Sequence, residues 1–281
     1  MNDVAPASLP ARRCKLNTSA RMPTLHGWRV DFAATAPFHH LAHYGPSLAG
    51  ADWPTLETLN ALATAQGLAN SAGLPLSFAA QHVRCGQWDY EAGILADGAV
   101  PSRERDWHDL FNALTWLAFP RAKAALNALQ CGELEQRQGA ARSPRSDAAT
   151  LFDDSGLLLL GREDELAELL TARRWQEAFV DRRQLWENTR AYGFGHALLE
   201  KLLAPWPGIT AKCLFLQVDT LPEPGPPPSW LDTTLAEACG HISRPSGLFP
   251  LPVLGIPGWW PGNADVAFYR DANVFRPLRV M

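Results

Sequence analysis

The chain has 281 residues, 47% of them hydrophobic and 19% charged, and a formal net charge of -4. A chain of that length can bury roughly three quarters of its unfolded surface, so its fold requires no disulfide or metal staple. The negative balance argues against a general nucleic-acid or anionic-membrane binder, while leaving room for a local basic patch.

Five cysteines, Cys14, Cys85, Cys131, Cys213 and Cys239, are scattered and form no Cys-x-x-Cys pair. Free thiols in a reduced, cytoplasmic protein are the natural expectation. The longest aliphatic run, Leu157 to Leu160, is far short of the about 20 apolar residues that span a bilayer. The N-terminus carries no apolar core of a signal peptide. Eleven Trp residues predict a core built from large rings, whose indole N–H groups need partners.

In chain order, residues 1–23 read as a disordered, Ala- and Pro-rich tail with a few bases, and residues 24–281 as one globular domain. The run Phe38 to Tyr44 would place His39 and His43 on one face of an α-helix, a spacing that suits a metal pair, but no third ligand is near. A helix is expected over Trp53 to Gln66, opened near Asp52, and a strand over Leu74 to Gln81. The stretch Trp88 to Leu95 fits either state.

The segment Arg105 to Asn127 is the longest with clear helical periodicity. Asp106 suits an N-cap, and Asp109 stands where an acidic side chain can reach back to that cap. Leu110, Phe111, Leu114, Leu117 and Ala118 form an apolar stripe. Pro120 breaks the helix and opens a second one, Arg121 to Gln130, stopped near Gly132. His108 and Asn112 share a face near the first N-terminus, where the helix dipole would favour a neutral imidazole.

Glu133 to Asp147 reads as a charged surface linker, and Leu151 to Leu160 as strand, tight turn and strand. On that reading Asp153 and Asp154 are turn formers. Helices follow over Glu163 to Arg173, Trp175 to Asn188 and Tyr192 to Leu203. In the last of these, Gly193 and Gly195 can mark a close backbone contact with the central helix, and His196 is either a packed core histidine, the favoured reading, or a partner of His108 in a site. Lys212 to Val218 is the clearest strand, Pro222 to Pro228 a stiff connector, and Trp230 to Cys239 a helix. Pro250 to Pro261 has too many prolines for a central strand and should wrap over the core as an arm pinned by Trp259 and Trp260. The fold class is α+β: a mainly helical domain with a small sheet and an irregular, proline- and tryptophan-rich C-terminal arm.

No glycine-rich nucleotide loop, nucleophile elbow or His-Glu-x-x-His zinc motif is present. The central segment, Leu151 to Gly156, Phe194 to Glu200, Pro252 to Trp260, Phe268-Tyr269 and Val274 to Pro277 together resemble an uncharacterised proteobacterial domain-of-unknown-function family. The resemblance covers about residues 28 to 280. It implies a single architectural unit and no particular activity. Members have sometimes been labelled transmembrane, which the absence of any apolar span in this sequence contradicts.

Two functional readings follow. In the one the sequence slightly favours, the protein is a non-catalytic binding or structural protein. Asp106 and Asp109 then cap, His108 and Asn112 bond the backbone of the proline-rich arm, and Arg121 pairs with a carboxylate. In the alternative it is a hydrolase with His108, Asp109, Asn112 and His196 as catalytic residues and Arg121 and Lys123 holding an anionic group. One version of that alternative is a divergent metal-dependent nuclease. The segment Asp109 to Lys123 resembles the helical half of a His-Asn-His finger, with Asn112 at the central Asn and Pro120 or Arg121 where the last His belongs. The sequence identifies no cofactor, metal, partner or oligomeric state. The readings differ in whether His108, Asn112 and His196 line an open pocket.

Overall fold

The computed structural model describes residues 27–81, 86–136 and 142–278. The expected N-terminal tail, with Cys14, lies outside these residues, as does Cys85. The described chain begins with 3₁₀ turns at Phe32–Ala34 and Ala36–Tyr44, then a single helical turn, α1 (Gly45–Leu48). At three residues per 3₁₀ turn, positions four apart do not share a face. His39 therefore bonds the Ala34 carbonyl at 3.1 Å, while the His43 ring lies 3.8 Å from that of Tyr44. His39 and His43 do not form the pair their spacing suggests.

Helix α2 (Leu56–Gln66) starts at Thr55, whose side chain accepts from the Thr58 N–H, and ends at left-handed Gly67. Strand β1 (Ser77–Ala80), helix α3 (Gln87–Asp97) and strand β2 (Ala99–Ser102) form a small βαβ unit, with β1 and β2 parallel and Phe78 opposite Val100. The stretch that fits either state is thus helix.

Helix α4 (Trp107–Ala118) buries eleven of its 12 residues. Asp106 caps it as expected, accepting from the Asp109 N–H at 3.1 Å. Helix α5 (Pro120–Gln136) opens at the proline and runs on through Gly132. Its first turn is capped from a distance. The Asp232 carboxylate, on helix α9 (Ser229–His241), accepts from the Arg121 and Ala122 N–H groups at 2.9 and 3.0 Å.

The expected hairpin over Leu151 to Leu160 is instead helix α6 (Pro144–Ser155) running directly into strand β3 (Gly156–Gly161). Ser143 caps α6 and Pro144 occupies its first turn, a start signal hidden inside the supposed linker Glu133 to Asp147. Ala148, Ala149 and Phe152 are its buried face. The Asp-Asp-Ser-Gly cluster ends a helix rather than turning a hairpin.

Helix α7 (Glu165–Thr171) matches its expected position. The Trp175 to Asn188 segment is not one α-helix but a π turn, Glu177–Asp181, followed by a 3₁₀ turn, Arg183–Asn188. Tyr192 and Gly193 belong to strand β4 (Thr189–Gly193), so helix α8 (His196–Leu202) starts later than its periodicity suggested. Strands β5 (Thr210–Gln217) and β6 (Phe249–Pro252) complete a mixed sheet in the order β4-β3-β5-β6. Central β3 is buried along its whole length, which explains its unbroken Leu run. Pro250 and Pro252 sit on the edge strand, where a missing N–H is tolerated.

The core is one cluster from Phe32 to Phe275. The N-terminal end of α4 anchors a set of rings: Trp107 lies 5.2 Å from Trp28, 4.8 Å from Trp53 and 5.5 Å from Phe111 between centroids. The indole N–H groups find carbonyls, Trp107 at Gly27, Trp186 at Ala178 and Trp175 at Arg276. The C-terminal arm does not fold onto α4. Its rings Tyr269 and Phe275 pack on Phe179 at 5.1 and 5.6 Å, beyond the sheet edge. The protein is thus a mainly helical α+β domain with two small sheets. No helix among the described residues is long and apolar enough to cross a membrane.

Gly195 does mark a close backbone approach, but to the α6–β3 junction rather than to α4. Its N–H and that of Phe194 both donate to the Gly156 carbonyl, at 2.9 and 3.0 Å. A Cβ at Gly195 would stand 2.3 Å from the Gly156 nitrogen and 2.5 Å from the Asp154 carbonyl oxygen. Gly195→Ala is therefore expected to cost about 2–4 kcal/mol, because backbone on both sides must move. Urea unfolding of the variant measures this, and a loss under about 0.5 kcal/mol contradicts the packing.

Candidate functional site

Helix α8 carries His196 in its first turn and Glu200 four residues on, so both lie on one face. That face meets the N-terminus of α4. His108 Nδ1 is 3.2 Å from the Glu200 carboxylate, and the His108 and His196 rings meet edge to face at 4.3 Å. Burial alone would lower the His108 pKa, but Glu200, helped by Asp109 and Asp106, outweighs it and holds the imidazole above its ordinary value. The expectation of a neutral His108 from the helix dipole is overturned by these carboxylates.

Asp109 does not reach back to the helix cap. Its carboxylate binds Arg103, accepting from the backbone N–H at 2.7 Å, from Nε at 2.8 Å and from a terminal guanidinium nitrogen at 2.9 Å. This locks the loop entering α4, where Arg105 has a φ of 58°. A bidentate pair of this kind is stronger than a simple surface contact.

The C-terminus of α6 brings the two aspartates beside His196. Its Nδ1 is 3.9 Å from Asp153 and its Nε2 3.5 Å from Asp154. Buried Lys123, on α5, donates to Asp153 and, at 2.9 Å, to the Asn112 side-chain oxygen. Asn112 in turn donates to the Tyr90 hydroxyl at 2.9 Å. A polar chain thus runs from α3 through α4 and α5 to α6 and α8. Burial raises the Asp153 pKa, yet the charge of Lys123 and its hydrogen bond bring it below the usual carboxylate range. Burial takes His196 down to about 3, against the pull of Asp153, so its ring is neutral. Asp154 is shifted up by burial and by Asp153.

Glu91, on α3, accepts from the Asn127 side chain at 2.7 Å. Burial pushes its carboxyl up to about 7. Burial also raises the Tyr90 phenol. Groups whose pKa values are driven in opposite directions within one site are what proton transfer requires.

These side chains open on a cavity of about 790 Å³ lined by His108, Asp109, Asn112 and His196. Tyr90, Glu91, Arg103, Arg142, Asp153 and Asp154 complete most of its polar wall. Four expected site residues therefore come together at one surface, with Lys123 beneath them. Arg121 does not join them. Its guanidinium bonds Thr233 at 3.0 Å, and it lines a different cavity, of about 670 Å³, between α4, α5 and α9. Lys123 is buried and paired, so it serves as a support rather than as an exposed anion clamp. The likeness to a nuclease finger ends at Asn112, whose amide is committed to Tyr90 and Lys123. Among the described residues no three His, Cys, Asp or Glu side chains converge as a metal-ligand set would.

Residues 76–279, well over half of the chain, match the model of a family described as a protein of unknown function, DUF3025. The chain belongs to that family. The DUF3025 match takes in every residue of the His108 cavity and all the segments on which the resemblance was drawn. No curated protein matches the chain, and no solved structure does.

Lys123→Met removes the cation hydrogen-bonded to Asp153 and frees Asn112. The expected cost is about 2–4 kcal/mol, held down because 26% of the Asp153 side chain is exposed. The Asp153 pKa falls on folding, so its contribution is present above the ordinary carboxylate range and lost as pH falls through the folded value. Denaturation at pH 7 and pH 3 should therefore show the variant's deficit shrinking in acid. Pairing Lys123→Met with Asp153→Leu should recover most of it, and a strictly additive double variant rules out the pair.

Proposed function

We propose that this protein is an enzyme that performs general acid–base catalysis on a small polar substrate in the His108 cavity. The observation that carries this reading is the convergence of His108, Asn112 and His196 on one open, polar-lined cavity. Asn112 and His196 are buried at the wall of this cavity, and His108, with 35% of its side chain exposed, is the group that opens to it.

Within this reading His108 is the base. Glu200 holds its Nδ1 and stabilises the imidazolium formed when Nε2 takes a proton. Glu91, protonated near neutral pH, is the matching acid on the opposite helix. Asn112, held between Lys123 and the Tyr90 hydroxyl, fixes the Tyr90 phenol at the cavity wall. The lining is too polar for a lipid or an extended apolar ligand, and the overall negative charge weighs against nucleic acid. Buried Cys131, Cys213 and Cys239 carry no disulfide, which is consistent with a reducing, cytoplasmic setting.

Purified protein assayed for hydrolysis, dehydration and isomerisation of small polar substrates, with His108→Ala as the control, tests the reading. The variant should lose about 10²–10⁴ in rate. It should lose less than about 1 kcal/mol of stability, since the His108 side chain is 35% exposed. Activity should rise with pH as His108 deprotonates, with a midpoint above the ordinary imidazole value. Glu200→Gln removes the charge that raises that pKa, so its limb should move to lower pH. Equal turnover by wild type and His108→Ala defeats the proposal.

A further inference from the structure

Most of the charges at the cavity are already matched. Arg103 is bound by Asp109 and Asp106, Lys123 by Asp153, and His108 by Glu200. Arg142 faces Asp147 and bonds Thr150. Asp154 is different. Among the described residues its ion-pair contact is with His196 Nε2 at 3.5 Å, and that ring is held neutral by burial. The Asp154 side chain is 48% exposed and lines the cavity, so its carboxylate faces the ligand space with no described Lys or Arg in direct contact, although His108, Lys123 and Lys201 act on it from further off.

A second observation at the same corner points to a ligand. His196 is 7% exposed, lines the cavity, and its Nδ1 has no hydrogen-bond partner. The tautomer that carries its proton on Nε2, toward Asp154, leaves an Nδ1 lone pair with nothing to accept. Buried polar atoms rarely go unpaired without a reason in a ligand or water. Asp154, the second oxygen of Asp153 and His196 Nδ1 are then all acceptors, and no donor among the described residues completes them. A group rich in donors and carrying positive charge satisfies all three at once.

We infer that the substrate bears a protonated amine, and that Asp154, with His196 beside it, is the residue that selects it. This rests on the acid–base reading for the reaction but not for the binding: the amine docks at α6 and α8, while His108 stands ready on α4.

Three probes of equal length separate the chemistry: 1,4-diaminobutane, 1,4-butanediol and succinate, each titrated calorimetrically into the full chain. The diamine should bind, and the diol and the diacid should bind at least tenfold more weakly. Asp154→Asn should weaken diamine binding by about 10–100-fold, the worth of a hydrogen bond to a charged group. Asp154→Glu, which keeps the charge, should recover part of it, and unchanged melting temperatures exclude a folding defect. Preference for the diol or succinate, no measurable diamine binding, or equal diamine binding by Asp154→Asn overturns the amine assignment. His108→Ala should still bind the diamine. If it does while wild type turns over no amine substrate, the amine site stands and the catalytic reading fails.

Discussion

The buried Lys123 ammonium is the constraint around which the site is assembled. A cation on the interior face of α5 is costly unless its charge is met and its protons are all taken. Asp153 meets the charge and Asn112 takes a proton, so α4 and α6 are pinned to α5 at fixed register. Asn112 passes the restraint on to Tyr90, and Asp153 passes it on to His196. Five helices are held at one point by polar contacts, and that arrangement leaves a cleft rather than a packed seam between them. Trp116 contributes from the apolar side, its ring 5.5 Å below the ammonium.

The same cleft gathers titratable groups in unlike surroundings. His108 sits at its open end against a carboxylate and holds its second proton more tightly; His196, a ring's width away, is stripped of solvent and stays neutral. Two imidazoles in contact are thereby shifted in opposite directions by their environments alone. Glu91 and Asp153 make a similar contrast among the carboxyls, one protonated near neutrality by burial and one kept ionised by Lys123.

Much of the framework could be read from local signals. The Asp106 cap, the apolar stripe of α4 and the break at Pro120 are all decided within a turn or two, and they stand as the residue pattern indicates. The meeting of His108 and His196 is one of two readings the residues leave open, and Gly195, which packs on the α6–β3 junction, does not choose between them. What escaped was settled at a distance. Asp-Asp-Ser-Gly has the chemistry of a β-turn and of a helix end alike; only the Ser143-Pro144 start and the buried Ala148, Ala149 and Phe152 decide between them. Glu200 lies 92 residues from His108, and nothing in its neighbourhood marks it as a partner. Asp109 suited a capping box, but a bidentate guanidinium outbids a single backbone N–H. Arg121 shares a helix with Lys123, yet two residues is half a turn, which turns it toward α9 instead of the cleft.

The prolines of β6 have a further effect on how molecules of this protein meet one another. An open sheet margin normally presents free N–H and C=O groups, a template on which a neighbouring chain can add a strand and continue into a fibre. Pro250 and Pro252 lie on that margin opposite Lys212 and Thr210, and neither has a proton to offer an incoming strand. The ladder therefore stops where the arm begins, and growth by strand addition is blocked on that side by covalent chemistry rather than by a covering element.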